Sequence, residues 1–362
     1  MAELRNDRSS ATVPSEAEAR LALVQMIGGA RVTQAIYVAA RLNIADLLID
    51  GPKTVDELAV LSHTHAPSLY RLLRALASLG LFLECTDRHF CLTPLAGLLC
   101  TLVPRSLRGM ALFHGDPYWW RSLGELLYCV QTGQPAPAHV HGVDEWAYLR
   151  DHPETAGVFN EAMSLITLEQ IPSILAAYDF SSIQALVDVG GGYGVFLAAI
   201  LSAYPTMRGI LVDQAEVVGH AVPVLEAYGV AQRCETRSGD LFAAVPSGAD
   251  CYLLKLILHD WNDERAHQIL VNIRRAMTSS ATLVLVERVI LPGNEPQAAK
   301  LLDLAMLSFP GGRERTAVEW KALLRAAGFV LTGIVPTEAG VSIIESRPAH
   351  ARARVPSALA SA

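Results

Sequence analysis

The sequence is poor in disulfide and metal-binding patterns. Its six cysteines include no Cys-x-x-Cys pair, and because most have apolar neighbours they are predicted to be reduced residues that pack in the core. The histidine pairs His63/His65 and His139/His141 have no carboxylate or thiolate companions at ligand spacing. No metal site is therefore predicted.

The sequence also lacks signals for membranes and nucleic acids. Its N-terminus has no apolar signal core, and no uninterrupted apolar run approaches the ~20 residues of a membrane helix. The net charge of -7 provides no basic surface, which disfavours nucleic acids and anionic membranes as partners. We expect a cytoplasmic protein without either partner.

The chain is long enough for two domains. It has 362 residues, of which 51% are hydrophobic, so sizeable cores are possible. The composition predicts disordered tails at both ends and three structured regions between them, with the boundaries 1–16, 17–103, 104–180, 181–348 and 349–362.

Residues 17–103 are predicted to form a mainly helical domain. An apolar stripe from Leu21 to Ala40, interrupted at Gly28-Gly29, must be covered by other residues, and we favour a second copy of the chain in a homodimer. Further on, Thr54 and Glu57 form a predicted capping box.

Two helices and a hairpin across 54–92 resemble a winged helix. The second helix carries Arg71 and Arg74 and is otherwise apolar or neutral, so few of its side chains would reach phosphates. A DNA-binding regulator is therefore the less favoured alternative to a dimerisation role.

Residues 104–180 are predicted to form a helical connector that contributes to an acceptor pocket, with most of its large aromatic side chains packed in the core and a few able to line a site. From residue 185 onward strands and helices alternate, which is typical of a parallel sheet covered on both faces. Seven strands are predicted, the last two forming an antiparallel hairpin: 185–189, 208–212, 233–237, 250–256, 281–288, 329–335 and 341–346.

A glycine-rich turn follows the first of these strands. Gly190, Gly192 and Gly194 allow a sharp bend and a close approach of a ligand to the next helix. The sixth position of the dinucleotide fingerprint is Val195 instead of glycine, which disfavours a nicotinamide dehydrogenase. Asp188, two residues before the turn, suits a ligand with cationic groups.

Further polar residues follow other strands, where ligands bind in open α/β sheets. Asp213 is placed to accept from two ribose hydroxyls, and Asp240 from an adenine amine with Leu241 against the ring. His259 follows an apolar strand, and Glu287 and Glu314 lie downstream. A carboxylate that accepts from histidine Nδ1 leaves Nε2 free to act as a base.

Together, these motifs resemble those of the S-adenosylmethionine-dependent O-methyltransferases of the caffeate and hydroxyneurate type, especially bacterial enzymes that methylate natural-product phenols. The resemblance spans nearly the whole chain. It rests on Asp-Val-Gly-Gly-Gly-x-Gly, Gly-Asp-Leu-Phe, Lys-x-x-x-His-Asp-Trp, Val-Glu after a strand, and Gly-Gly-x-Glu-Arg-Thr.

The resemblance implies a Rossmann-like methyltransferase domain with a seven-stranded, mostly parallel sheet and an N-terminal winged-helix dimerisation domain. It implies S-adenosylmethionine as methyl donor, and His259 as general base flanked by Glu287 and Glu314. Asn160 and Met163 match a helix that faces the acceptor. The implied cofactor-site residues are Asp188, Gly190, Gly192, Asp213, Asp240, Leu241 and Lys255.

Some relatives lack the histidine and perform hydroxylation, decarboxylation or cyclisation with the cofactor retained, and this chemistry is the alternative function. Because this chain keeps His259, methyl transfer to a small-molecule hydroxyl is favoured. A phenol with a pKa near ~10 and an imidazole near ~6.5 would make complete proton transfer before attack unfavourable by roughly 5 kcal/mol. We therefore expect partial proton transfer during attack.

Overall fold

The computed structural model describes residues 15–349, which form two compact units. The first unit ends at Gly115 and the second begins at Asp116, so the division falls inside the predicted connector 104–180. Apart from their innermost residues, the predicted tails 1–16 and 349–362 lie outside the described part of the chain. At the N-terminal edge, Ser15 and Glu18 form a capping box that begins the first helix.

From Ser15 to Gly115, the first unit combines seven helices with a small antiparallel sheet in the order β1-β3-β2. The predicted capping box of Thr54 and Glu57 is present, and Gly80 follows the second predicted helix with φ +77°. The elements are α1 (Glu16–Ile27), α2 (Gly29–Arg41), α3 (Ile44–Leu47), β1 (Lys53–Thr54), α4 (Val55–Leu61), α5 (Ala66–Ser78), β2 (Phe82–Thr86), β3 (His89–Leu92), α6 (Pro94–Gly97) and α7 (Arg108–Gly115).

The apolar stripe of α1 is uncovered in the single chain. Met26 and Ile27 are 77% and 71% exposed, and Gly28 separates α1 from α2 as expected. By length and composition alone, segment 16–41 could also cross a membrane, a criterion that core helices of soluble proteins and signal sequences also meet. We did not anticipate this from the sequence.

The hairpin β2–β3 corrects the prediction for the cysteines. Cys85 and Cys91 form a disulfide, with Cα atoms 6.2 Å apart. Antiparallel pairing brings them together, because Leu83 lies opposite Cys91 in the register and Cys85 sits at an irregularity two residues later. The four other cysteines are free.

The second unit begins with five helices and continues as an alternating α/β region. Its helices are α8 (Pro117–Gly124), α9 (Leu126–Thr132), α10 (Ala136–His141), α11 (Glu145–Asp151), α12 (Pro153–Ala177), α13 (Val195–Ala203), α14 (Ala215–Val218), α15 (Ala221–Ala227), α16 (Asp263–Ala276), α17 (Ala298–Ser308) and α18 (Ala317–Ala326). Its strands are β4 (Ala185–Val189), β5 (Arg208–Asp213), β6 (Cys234–Ser238), β7 (Cys251–Lys255), β8 (Thr282–Glu287), β9 (Val289–Ile290), β10 (Arg315–Thr316), β11 (Phe329–Pro336) and β12 (Ser342–Pro348).

The main sheet has seven strands in the order β11-β12-β8-β7-β4-β5-β6. Strands β4 to β8 pair in parallel, whereas β12 is antiparallel to both β8 and β11. This confirms the predicted mostly parallel sheet with an antiparallel hairpin at its edge.

Two apolar clusters cover the two faces of this sheet. One includes α13 with Val284 and Ile343, and the other includes α16 and α18 with Leu254 and Leu285. Because β4 pairs with β5 on one side and β7 on the other, the strand order reverses there. Such a reversal opens a crevice beyond the carboxyl ends of the strands.

Candidate active site

The glycine turn lies at the carboxyl end of β4. Gly190 and Gly192 adopt positive φ angles of 73° and 59°, and a Cβ on Gly190 would come within 2.6 Å of Ile257. Asp213, at the end of β5, accepts hydrogen bonds from Gly192 N and Gln214 N, both at 2.7 Å. These two strand ends are thereby fixed to each other.

A cavity of about 510 Å³ opens beside this turn. Four predicted cofactor-site residues border it: Gly190, Asp213, Asp240 and Leu241. Asp240 is exposed and accepts from Phe242 N at 2.8 Å. A glycine turn without side chains, two acids and an apolar side chain suit the adenosine part of S-adenosylmethionine.

Two other predicted cofactor-site residues lie deeper. Asp188 is buried, its Oδ2 has no hydrogen bond, and burial raises its pKa to about 7. Burial lowers the pKa of Lys255 to about 7, and its Nζ donates to Thr167 Oγ1 at 3.1 Å. Neither borders the cavity.

His259 lies in the short helical turn that follows β7. It is 6% exposed, and its Nδ1 lies 2.9 Å from Glu314 Oε1. Asp260 Oδ1 is 3.4 Å from Nε2. The bond to Glu314 favours the tautomer with the proton on Nδ1, which leaves Nε2 as the acceptor.

Glu287 supports the same turn from the end of β8. Its Oε1 accepts from Ile257 N at 3.2 Å and Leu258 N at 2.9 Å. It therefore holds the backbone that carries His259, whereas Glu314 contacts the ring directly.

A second set of contacts fixes the loop that carries Glu314. Gly312 packs on the histidine turn so closely that a Cβ there would lie 2.0 Å from His259 O. Arg313 N donates to His259 O at 2.8 Å. Arg315 is fully buried and donates to Leu258 O and Trp261 O at 2.9 and 2.8 Å.

The electrostatic environment makes His259 a stronger base than free imidazole. Burial by itself lowers its pKa, but the carboxylates of Asp260, Glu287 and Glu314 outweigh burial and raise the pKa to about 9. Burial raises the pKa of Glu287 to about 7 despite the opposing charge of His259. At neutral pH the histidine therefore holds a proton in the free enzyme.

The three side chains also form a donor set that would fit a metal ion. One ligand atom from each of His259, Glu287 and Glu314 lies within 4.8 Å of the others. In the structure, however, Nδ1 of the histidine and Oε1 of each glutamate take part in the hydrogen bonds described above.

The residues predicted to face the acceptor lie on α12 and are half-buried. Asn160 donates from Nδ2 to Ala156 O at 2.9 Å, within its own helix, and Met163 lies about one turn further on. Neither borders the cavity described above.

The sequence reasoning missed several residues of this site. Asp260 was visible in the quoted motif but was given no role, and Arg315 was not expected to be buried. Glu145 and Trp146, in the helical region, also border the cavity. An acid and a tryptophan at the start of a helix gave no signal that distinguished them from capping and core residues.

Family models agree with this geometry. Residues 120–330 match the O-methyltransferase domain and residues 24–101 match the O-methyltransferase dimerisation domain. The chain belongs to this methyltransferase family, whose members use S-adenosylmethionine. The winged-helix description of its N-terminal unit stays a prediction.

The relatives include both O- and N-methyltransferases. The chain is 46% identical over 326 residues to phenazine O-methyltransferase PhzM of Lysobacter antibioticus, covering 90% of this chain and 95% of the relative. It is 36% identical over 321 residues to 8-amino-8-demethylriboflavin N,N-dimethyltransferase of Streptomyces davaonensis, covering 88% and 92%.

Solved structures share the fold. LaPhzM superposes with a TM-score of 0.89 at 45% identity, covering 93% of this chain and 100% of that chain. The O-methyltransferase NcsB1 from neocarzinostatin biosynthesis, in complex with S-adenosylmethionine and 2-hydroxy-5-methyl naphthoic acid, gives a TM-score of 0.79 at 30% identity, covering 94% and 100%. This protein is thus a methyltransferase of the natural-product type.

Proposed function

We propose that this methyltransferase acts on a phenolic hydroxyl of an aromatic natural product, with His259 as general base. The observation that carries the proposal is the 2.9 Å contact between His259 Nδ1 and Glu314 Oε1 at a strand end next to the glycine turn. A histidine held through Nδ1 presents Nε2 as the atom that takes the hydroxyl proton.

The cofactor site follows from the residues around the glycine turn. Gly190, Asp213, Asp240 and Leu241 border the cavity, so we assign them direct contacts. Gly192 belongs to the site through its bond to Asp213, and Asp188 and Lys255 support it from below. When bound, S-adenosylmethionine supplies an electrophilic methyl group on a sulfonium.

The chain's own residues would orient the acceptor and receive its proton. Correct placement of the hydroxyl supplies much of the acceleration in such a displacement, up to ~7–11 kcal/mol. His259 with a pKa of about 9 lies roughly one unit below a phenol, so proton transfer would be unfavourable by only about 1.4 kcal/mol. This revises the roughly 5 kcal/mol expected for an ordinary imidazole.

The raised pKa of His259 also sets the protonation state of the resting enzyme. Because His259 is protonated at neutral pH, it must release that proton before it can accept another. The proposal therefore includes an increase of activity with pH up to about pH 9. Glu314 holds the ring, while Glu287 and Asp260 stabilise the imidazolium that forms.

The remaining assignments are parts of the same proposal. Asn160 and Met163 on α12 face the acceptor, and the 104–180 region contributes to its pocket. We also propose a cytoplasmic homodimer formed through the exposed apolar face of α1, and a mechanism without a metal ion.

To test the proposal, the enzyme is incubated with S-adenosylmethionine and a panel of phenolic and amino-aromatic natural products, and the products are identified by mass spectrometry. Wild type is compared with His259→Gln and with the control His267→Gln, whose ring contacts the Ala326 carbonyl. A gain of one methylene on oxygen that requires His259 supports the proposal.

Two other results would contradict it. Methylation of nitrogen alone would place the chain with its N-methylating relatives. Conversion of the acceptor without added methylene would indicate hydroxylation, decarboxylation or cyclisation, the alternative function.

A further inference from the structure

One carboxyl group on α17 bonds to the loop that carries Glu314. Asp303 is half-buried, and its Oδ1 accepts the backbone N–H of Glu314 at 2.7 Å. The two residues are eleven positions apart in the sequence, so the bond joins the helix to the far end of the loop that follows it. A bond this short to a carboxylate is typical of the stronger, charge-assisted class. Asp303 therefore fixes one backbone position beside the base.

The Glu314 side chain has little else to hold it. It is 1% exposed, and its Oε1 lies 2.9 Å from His259 Nδ1. Its Oε2 has no hydrogen-bond partner among the described residues, and Arg288 Nη1 is 3.9 Å from Oε1, too far for a hydrogen bond. Within the described chain, the one hydrogen bond of this side chain is thus to the ring that it orients. The position of the carboxylate must therefore be set through the backbone of Glu314.

Backbone bonds fix the neighbouring positions of the same loop. Gly312 N donates to Met306 O at 3.1 Å. Arg313 N donates to His259 O at 2.8 Å. The acceptors for these two positions are main-chain carbonyls, whereas for the next position the acceptor is the side chain of Asp303. A substitution can therefore remove this one bond while the other bonds of the loop remain.

An acid at this position is electrostatically unfavourable. Burial raises the pKa of Asp303, and the carboxylates of Glu314 and Glu319 raise it further, whereas the Glu314 N–H and the Arg313 guanidinium lower it. An amide oxygen would accept the same N–H without repelling Glu314, but its bond would be weaker. A carboxylate thus gives the firmer hold on the Glu314 backbone in spite of the repulsion between the two acids.

We propose that Asp303 is a positioning residue, which fixes the backbone of Glu314 and so holds the Glu314 carboxylate against His259 Nδ1. The contacts run from Asp303 Oδ1 to Glu314 N at 2.7 Å and from Glu314 Oε1 to His259 Nδ1 at 2.9 Å. Asp303 itself takes no part in proton removal. The inference rests on the proposed function for the role of His259 as base, and it adds α17 to the elements that control this base.

The test is a titration of His259 by NMR with labelled histidine, combined with kcat/KM profiles over pH 6 to 10.5. Loss of the bond in Asp303→Ala lets Glu314 move away from the ring, so the pKa of His259 should fall from about 9 by about one unit. The acid limb of the profile should move with it. At high pH, kcat should fall about threefold to tenfold, because the base is weaker and less well oriented. Calorimetry should show unchanged S-adenosylmethionine affinity.

Two further variants separate position from charge and from other routes. Asp303→Asn keeps an acceptor oxygen for Glu314 N but removes the negative charge, so the pKa of His259 should stay within about 0.3 units of the wild type. A double-mutant cycle tests whether Asp303 acts through Glu314. In a Glu314→Ala background, Asp303→Ala should lower the pKa of His259 no further.

The matched control lies in the first unit. Asp46 Oδ1 also accepts a backbone N–H, that of Thr101, at 2.7 Å, so Asp46→Ala removes an equivalent bond outside the unit that carries the base. It should leave the pKa of His259 unchanged even where the Tm falls. Asp303→Leu fills the space of the carboxylate without an acceptor atom, and it provides the same readout where Asp303→Ala does not fold.

Several results would overturn the inference. An unchanged pKa of His259 in folded Asp303→Ala would show that Glu314 keeps its place without the bond. An equal fall in Asp303→Asn would make charge responsible instead of position, and a further fall in the Glu314→Ala background would show a route that bypasses Glu314. Failure of both Asp303→Ala and Asp303→Leu to fold would assign the bond to the fold alone. If the pKa falls as expected but methyl transfer does not depend on His259, only the proposed function is contradicted.

Discussion

Replacing Glu314 with glutamine tests whether the Glu314 carboxylate raises the pKa of His259. The change removes a negative charge 2.9 Å from His259 Nδ1 while an amide oxygen remains to accept the Nδ1 proton. Hydrogen bonds that involve a charged group contribute about 1.5–3 kcal/mol, and about 1.36 kcal/mol corresponds to one pKa unit. The pKa of His259, about 9 in the wild type, should therefore fall by about 1 to 2 units.

The direction of the kinetic effect follows from which form of histidine is active. The neutral form is the base, so a lower pKa populates it at lower pH and moves the acid limb of the kcat/KM profile down by the same amount. The variant's base is also weaker, so its rate at high pH should fall below that of the wild type. The two profiles should cross.

The assay combines kinetics with a direct titration. Profiles of kcat/KM are recorded from pH 6 to 10.5, and His259 is titrated by NMR with labelled histidine, its signal assigned by its loss in His259→Gln. Glu319→Gln is the matched control, because Glu319 caps α18 and pairs with Arg313 instead of contacting the histidine. An acid limb that stays in place in folded Glu314→Gln would refute the reasoning.

Three further substitutions have distinct expected outcomes. His259→Gln should lower kcat by about 10² to 10⁴ with unchanged S-adenosylmethionine affinity in calorimetry; full turnover would exclude the base assignment. Asp213→Ala should weaken cofactor binding with the fold retained by circular dichroism, and equal affinity would mean that another acid holds the ribose. Gly312→Ala should lower both kcat and Tm, because its Cβ would lie 2.0 Å from His259 O. Wild-type kinetics would show that the loop around Gly312 can move to accommodate the methyl group without displacing His259.

The strand predictions succeeded because they depend on local chemistry. Apolar runs such as Leu283–Val286 are flanked by polar or turn residues, and buried parallel strands need continuous apolar sequence. The glycine turn at Gly190 and the capping box at Thr54 were visible for the same reason, since each depends on a few adjacent residues.

The cysteine prediction failed because a disulfide depends on pairing between strands. Cys85 and Cys91 are six residues apart, and only the hairpin register brings them together. Arg315 was missed for a related reason. Its charge predicts exposure, but its guanidinium satisfies carbonyl groups of a turn more than 50 residues earlier in the chain.

The sequence by itself determined the strands and their order along the chain, the glycine turn, and the placing of His259 and Glu287 at strand ends and of Glu314 in a loop, because apolar periodicity and turn chemistry are local. Only the tertiary structure decided which acid bonds the histidine ring, which one holds its backbone, and why the base is strengthened. Those properties depend on distances and burial among residues from β7, β8 and the loop before β10.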